Sequence, residues 1–266
     1  MDDDNLNFWE HLQELRKYII RSVLFFFILF IVAFLFREIL FDKFLLALLD
    51  EDFITYRVLK KLFHFIGVSD SESINAGFKL INFKLSGQFL AHISISAVAA
   101  AIITLPFLIY QMWLFIKPAL YPKERKIISK NAIIIVFLFL IGCLFAYYII
   151  TPLSVIFLGN YKVSELVSNT ISLNSYISVF NSTLFLTGLL FELPILLLVI
   201  SRLGLVSAET LRKYRKHSIV ACLIVSAIIT PTTDPFTMTI IAIPIYLLYE
   251  ISIFSINKKS KKWQQK

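Results

Sequence analysis

The sequence predicts an all-α, polytopic membrane protein with six transmembrane helices. Two observations carry this. The 266 residues are 58% hydrophobic with only 17% charged, and the mean hydropathy is +0.78, too apolar for the surface of a soluble domain of this size. Several apolar runs also reach the roughly 20 residues that a helix needs to cross a bilayer. The net charge of +8 would suggest nucleic acid only in a soluble protein; here it calls for asking where the cations lie.

The chain starts Met-Asp-Asp-Asp, unlike the basic start of a secretory signal, so the first apolar run is expected to stay in the membrane. Residues 6–19 read as an amphipathic lead-in. Phe8, Leu12, Leu15 and Ile19 repeat at helical spacing, with Glu10, Gln13, Glu14 and Lys17 on the polar side. Asn7 suits the N-cap, with Glu10 three residues on. The first span is expected at about 18–36.

Residues 37–88 hold seven basic and seven acidic residues. Residues 53–66 within them are amphipathic and too short and charged to span, so the segment reads as a folded cap outside the membrane. The second span, about 89–113, contains Pro106 and small residues suited to close helix contact. A loop over 114–130 follows; Tyr110 and Trp113 before it and Tyr121 within it mark the interface, and Pro118 and Pro122 stiffen the exit. The third span is expected at about 131–150, ending before Thr151-Pro152. The fourth, about 176–200, contains Glu192 and Pro194. The last two runs, about 217–230 and 237–254, are short for a bilayer of about 30 Å and flank a turn at 230–235. A basic tail, 257–266, ends the chain, leaving 1–256 as one membrane domain.

Of the 26 basic residues, 18 lie in the lead-in with Arg21 just after it, loops 114–130 and 201–216, and the tail. By the positive-inside rule both termini are cytoplasmic, and the cap at 37–88 is on the outer side. Cys143 and Cys222 sit inside apolar runs and read as buried, reduced packing residues. The four histidines show no ligand spacing, so no metal and no cofactor is expected.

Three carboxylates stand apart. Glu14 is at the membrane surface, Glu124 lies in a loop among Lys117, Lys123, Arg125, Lys126 and Lys130, and Glu192 lies inside a span. An intramembrane acid costs at least about 2.5 kcal/mol on insertion scales and is functional by default. Each has a plainer reading: Glu14 and Glu124 as partners of nearby cations, Glu192 as a group satisfied by a neighbouring helix. Together, two surface acids in a basic rim suit bidentate pairing with guanidinium groups, and the rim discourages other cations.

The motifs resemble the C subunit of the twin-arginine protein translocase, the TatC family. Phe8-x-Glu10-His11-Leu12-x-Glu14-Leu15-Arg16 is similar to its N-terminal signature. Leu105-Pro106 through Tyr110-Gln111, Trp113, Phe115-Ile116, Pro118, Leu120-Tyr121 and Glu124-Arg125 is similar to its first cytoplasmic loop. Phe145-Ala146-Tyr147 with Pro152, Phe191-Glu192-x-Pro194, Thr230-Pro231 with Asp234, and Ile243-Pro244 with Tyr249-Glu250 follow in the family's order.

The resemblance implies a cupped-hand bundle in the bacterial cytoplasmic membrane, without enzymatic activity. It would bind the twin-arginine signal peptides of folded precursors, assemble with TatA/TatB-type single-span subunits, associate with itself, and support export driven by the proton motive force. Nucleic acid is not an expected partner; membrane lipid is. Carried over by position, Glu14 and Glu124 match the recognition acids, with Arg16, Gln111, Phe115, Pro118, Tyr121 and Arg125 around them. Glu192 matches the acid of the membrane cavity and Asp234 that of the last outer turn. Thr237 and Met238 fall in the partner-contact region, where the family's usual glutamine is missing. The turn reads Pro-Thr-Thr-Asp where the family commonly has Pro-Pro-Asp, and Lys117 replaces a small residue.

Two other classes compete. A proton- or ion-coupled secondary transporter would use Glu192, but would show inverted repeats with paired broken helices, and no clear repeat is found. An intramembrane hydrolase needs a metal or a nucleophile–base set within the spans, and none is found in the sequence.

Overall fold

The computed structural model describes residues 8–50, 52–66, 80–116, 122–161, 164, 170–202, 205–230 and 235–263. Helix α1 spans Phe8–Leu35 and pairs with α3, Gly87–Ile116. Tyr18 meets Phe115, Phe25 meets Phe107 and Phe34 meets His92. Rising positions on one helix pair with falling positions on the other, so the two run antiparallel. The rest of α1 is bare: Leu24, Phe27, Ile28, Ile31 and Leu35 are exposed, as a lipid-facing helix requires. Asn7, read as its cap, lies outside the described residues.

After α1 the chain winds irregularly. A wide π turn covers Ile39–Leu45, a tight 3-10 turn covers Leu46–Leu49, and α2 spans Ile54–Ile66. Irregular helix misaligns backbone carbonyls, and in apolar surroundings those must find donors. Three tyrosines supply them. The Tyr147 hydroxyl donates to Phe44 O at 3.0 Å, Tyr176 to Leu45 O at 2.8 Å, and Tyr56 to Leu48 O. Leu45, Leu48 and Tyr56 are fully buried, and burial holds the Tyr56 phenol well above its ordinary range, so it stays a donor.

Helix α4 spans Pro122–Phe145, and a π turn at Ala146–Ile150 joins it to α5, Thr151–Asn160. The structure thus differs from the sequence expectation at both ends. The helix begins at Pro122, not near residue 131, because proline is at home in a first turn. It also continues past Pro152 to Asn160. Pro152 lacks an N–H, which deprives the Tyr148 carbonyl four residues back of its usual donor. The Thr55 hydroxyl of α2 donates there instead, and the wide turn makes room for the proline ring. Two short strands, β1 at Leu80–Ile81 and β2 at Ile171–Ser172, pair in parallel with Leu80 opposite Ile171.

Helix α6, Leu173–Leu190, is capped by the Ser172 side chain, which accepts from the Ser175 N–H. It is central: it packs against α3 and α4 and contributes Tyr176, Ile177, Phe180 and Leu184 to the main core, with Phe139, Cys143 and Tyr147 of α4 and its turn. Two glycines bring α4 and α6 close together. A Cβ on Gly188 would stand 2.7 Å from Cys143 Sγ and 2.8 Å from Phe139, and one on Gly142 would stand 2.9 Å from Gly188 Cα. The cysteines are free and buried.

After a turn at Phe191-Glu192 the chain continues as α7, Leu193–Arg202, then α8, Ala208–Lys213, α9, Arg215–Ile229, and α10, Pro235–Trp263. Arg215 Nη2 lies 2.7 Å from Glu250 Oε2, and the Tyr249 hydroxyl donates to Leu211 O at 2.8 Å. These bonds fasten α8 and the start of α9 to α10.

Among the described residues five helical segments are long and apolar enough to span: Leu12–Leu35, Gly87–Phe115, Ile133–Asn160, Leu173–Ser201 and Thr237–Ile256. The sixth, α9, has 15 residues, about 22 Å at 1.5 Å per residue. It is as short as the sequence implied. The last span is not: its apolar part reaches 20 residues, and the helix runs on into the lysine-rich tail because lysine and serine do not stop a helix.

Two outcomes follow from this packing. Tyr176→Phe leaves the Leu45 carbonyl buried without its donor and is expected to cost about 1–3 kcal/mol, read as a lowered unfolding midpoint in detergent. Tyr148→Phe, at a ring 37% exposed, should stay within about 0.5 kcal/mol. Gly188→Val drives a side chain into Cys143 and Phe139 and should cost about 1–3 kcal/mol in the same measurement.

Candidate functional site

The site begins with one aromatic contact. Tyr18 of α1 and Phe115 of α3 meet edge to face, with ring centroids 6.0 Å apart. This joins the start of α1 to the end of α3. Glu14 stands one helical turn beyond Tyr18 toward the end of the bundle, while Gln111, on the antiparallel α3, stands one turn deeper than Phe115, about two turns from Glu14 along the axis. Glu14 is half-buried, with Arg16 and Lys17 exposed beside it in sequence. It makes no salt bridge among the described residues, whose ion pairs are Arg57–Asp52 and Arg215–Glu250. A carboxylate among cations that pairs with none of them keeps its acceptor lone pairs open. Gln111 is 6% exposed, and its Oε1 has no hydrogen-bond partner among the described residues.

Helix α3 ends at Ile116 and α4 begins at Pro122, so a five-residue connection brings Glu124 and Arg125 to this end of the bundle. The sequence reading placed both in a loop; they belong to the first turn of α4, where an acid complements the helix dipole. Their side chains lie outside the described residues, as do Pro118 and Tyr121. Phe115, Gln111, Glu14 and Arg16 are therefore brought to one end, and Glu124 and Arg125 reach it by their backbone.

Glu192 occupies the break between α6 and α7. The Glu192 N–H donates to Leu189 O, and its own carbonyl accepts from the N–H groups of Ile195 and Leu196. Pro194 cannot donate, which frees the Leu190 carbonyl from the regular ladder and explains the break. The carboxylate lies beside the main chain of Phe139. Both of its oxygens are buried and neither has a donor in bonding geometry among the described residues. The Phe139 main chain on α4 is the contact that agrees with the plainer reading from sequence, satisfaction by a neighbouring helix, and no side chain among the described residues adds a bond to it. Asp234 lies outside the described residues; Thr237 is buried and Met238 half-buried on α10.

Sequence reasoning gave no role to two features. The tyrosine hydroxyls on the 44–48 carbonyls join residues up to 131 positions apart, which no local pattern reveals. The Arg215–Glu250 pair, with the Tyr246 hydroxyl donating to Glu250 Oε1 at 3.2 Å, had a signal: Tyr246, Tyr249 and Glu250 share a helix face at spacings of three and four.

The chain matches the family model described as Sec-independent protein translocase protein (TatC) over residues 10–244. The Sec-independent protein translocase protein TatC of Blattabacterium sp. subsp. Periplaneta americana is 33% identical over 267 residues, covering 98% of each chain. That of Aquifex aeolicus is 34% identical over 246 residues, covering 92% of each. Two crystal structures of the twin arginine translocase receptor TatC resemble this chain. One has a TM-score of 0.66 at 32% identity, over 92% of this chain and 97% of the other. The second, in the detergent DDM, has a TM-score of 0.67 at 34% identity, over 93% and 99%. With matches that run nearly end to end in sequence and in fold, the chain belongs to the TatC family of Sec-independent protein translocase proteins, and it is a polytopic membrane subunit of protein transport, not an enzyme.

Proposed function

We propose that this chain is the receptor subunit of a twin-arginine translocase in the bacterial cytoplasmic membrane, with both termini cytoplasmic. Glu14 and Glu124 take the two guanidinium groups of a twin-arginine signal peptide. Arg16, Gln111, Phe115, Pro118, Tyr121 and Arg125 form the surroundings. Single-span partners of the TatA/TatB type assemble on the bundle, with Thr237 and Met238 in the region of contact, and the proton motive force drives export of the folded cargo. The observation that carries this reading is Glu14: half-buried, flanked by cations in sequence, and without a salt bridge among the described residues. Supporting it are the family membership and the likeness to solved structures of a twin arginine translocase receptor.

A carboxylate of this kind is worth about 1.5–3 kcal/mol to a guanidinium donor, or roughly tenfold or more in affinity. Binding of a twin-arginine peptide to the purified chain in nanodiscs should therefore weaken at least about tenfold in Glu124→Ala and in Glu14→Gln. An Arg-Arg→Lys-Lys peptide should bind the wild type poorly, and the two acid substitutions should cost that peptide much less. Equal binding across all these combinations rules the recognition site out. Labelling of a cysteine at position 117 from outside the cell would overturn the orientation.

The buried carboxylate of Glu192, which has no salt-bridge partner among the described residues, gives a specific reason to keep a second reading, a proton- or ion-coupled step at that residue. The expected result is that Glu192→Ala inserts normally into the membrane yet exports a folded reporter poorly. Normal export by that variant would return Glu192 to a structural role.

A further inference from the structure

Arg21 is a cation without an assigned purpose. It lies within the first apolar span, Leu12–Leu35, it is exposed, and it forms no salt bridge among the described residues. An unpaired charge in a span is costly and calls for a named partner. Its guanidinium carbon sits 5.8 Å from the ring centroid of Tyr18, one turn nearer the N-terminus. The side chain thus reaches back toward the end of the bundle, as a snorkelling arginine does.

Tyr18 also lines a groove of about 320 Å³ between α1 and α3, floored by Phe185 of α6. Ile19, Val23 and Phe26 form one wall, and Ala101, Leu105 and Leu108 the other. Ser22 adds no free polarity, since its hydroxyl donates to Tyr18 O at 3.0 Å; Thr104 adds a hydroxyl without a partner among the described residues. From Ala101 to Met112 the groove follows α3 for about 16 Å at 1.5 Å per residue, close to the roughly 15 Å of one hydrocarbon leaflet. On α1, Arg16 stands one turn above Ile19 and two above Val23, so helical spacing puts a cation over that wall, while Arg21 reaches the groove's edge by way of the Tyr18 ring. Lys17 is exposed beside it, and Glu14 is the acid among these cations.

We propose that this groove holds an acyl chain of an anionic phospholipid, with the lipid phosphate taken by Arg21 and the Arg16–Lys17 rim. A leaflet-long apolar slot ending under cations matches a lipid in length, polarity and charge. An apolar peptide would fill the slot but leave Arg21 unpaired. The proposal depends on the fold and not on the receptor reading, so each can fail alone.

The test uses the full chain, purified in mild detergent and stripped of lipid. It is offered dioleoyl-phosphatidylglycerol or dioleoyl-phosphatidylcholine at equal concentration, and bound lipid is counted by native mass spectrometry. Phosphatidylglycerol should be retained about fivefold better for the one cation at Arg21. Arg21→Gln should remove that preference, Arg21→Lys should keep most of it, and Ala101→Phe, which fills the slot, should lower retention of both lipids. The unfolding midpoint of each variant separates lost binding from lost folding. Equal retention of the two lipids, a preference unchanged in Arg21→Gln, or undiminished retention in a folded Ala101→Phe would overturn the proposal. So would a lipid-free dimer in place of a lipid adduct.

Discussion

Irregular backbone inside a membrane protein survives only where each freed carbonyl finds a donor, and residues 39–49 live under that constraint. Three phenol hydroxyls from three separate elements meet it: Tyr56 from α2, Tyr147 from the turn after α4, and Tyr176 from α6. The rings do more than donate. Phe44 stacks on Tyr147 with centroids 4.4 Å apart and meets Phe180 edge-on, so the same residues that cap the carbonyls also fill the core. Loss of this cluster would leave α2 with little to rest on, and with it the Thr55 hydroxyl that supports the helix across Pro152. The long third span, the central position of α6 and the close glycine contact with α4 all sit on this arrangement.

The spans were legible because their signal is local: apolar runs of the right length bounded by charge. The interior of α3 was legible too, and it continues through Pro106 as one helix. Proline misled at Pro152 and Pro122, where the sequence suggests a stop. In one case a first turn accepts proline without cost; in the other a hydroxyl from residue 55 replaces the missing donor. Neither fact is visible within a short window. Glu14 stood out by its charge, whereas Gln111 and Phe115 entered only through the resemblance to the family's motifs; helical geometry places all three toward one end of the bundle. Tyr176 could not, since its partner lies 131 residues away and tyrosine in an apolar run reads as ordinary core.

The charges within apolar stretches show two physical solutions. Glu192 is short, so the main chain bends around it and Pro194 marks the break. Arg21 is long, so the helix stays regular and the side chain travels. A short acid fixed at a break can respond only to what reaches it; a long cation can follow a partner along the surface. The same contrast separates the two carboxylates at the start of the bundle. Glu14 belongs to a long regular helix held by Tyr18 against Phe115, whereas Glu124 stands in the first turn after a five-residue connection. One half of the proposed site is anchored by packing, and the main chain of the other by the geometry of a helix start.

The pairing of Tyr176 with Leu45 also sets an order in time. On a ribosome making 5–20 residues per second, roughly 7 to 26 s pass between the emergence of residue 45 and that of residue 176. Until then the Leu45 carbonyl lacks Tyr176, and for most of that interval the Phe44 carbonyl lacks Tyr147 and β1 has no strand to pair with. The region after the first span therefore cannot mature when it is made; it closes only once the fourth span has arrived. A nascent chain stalled before residue 176 would carry this segment open, which makes it a natural point at which quality control can tell an unfinished chain from a finished one.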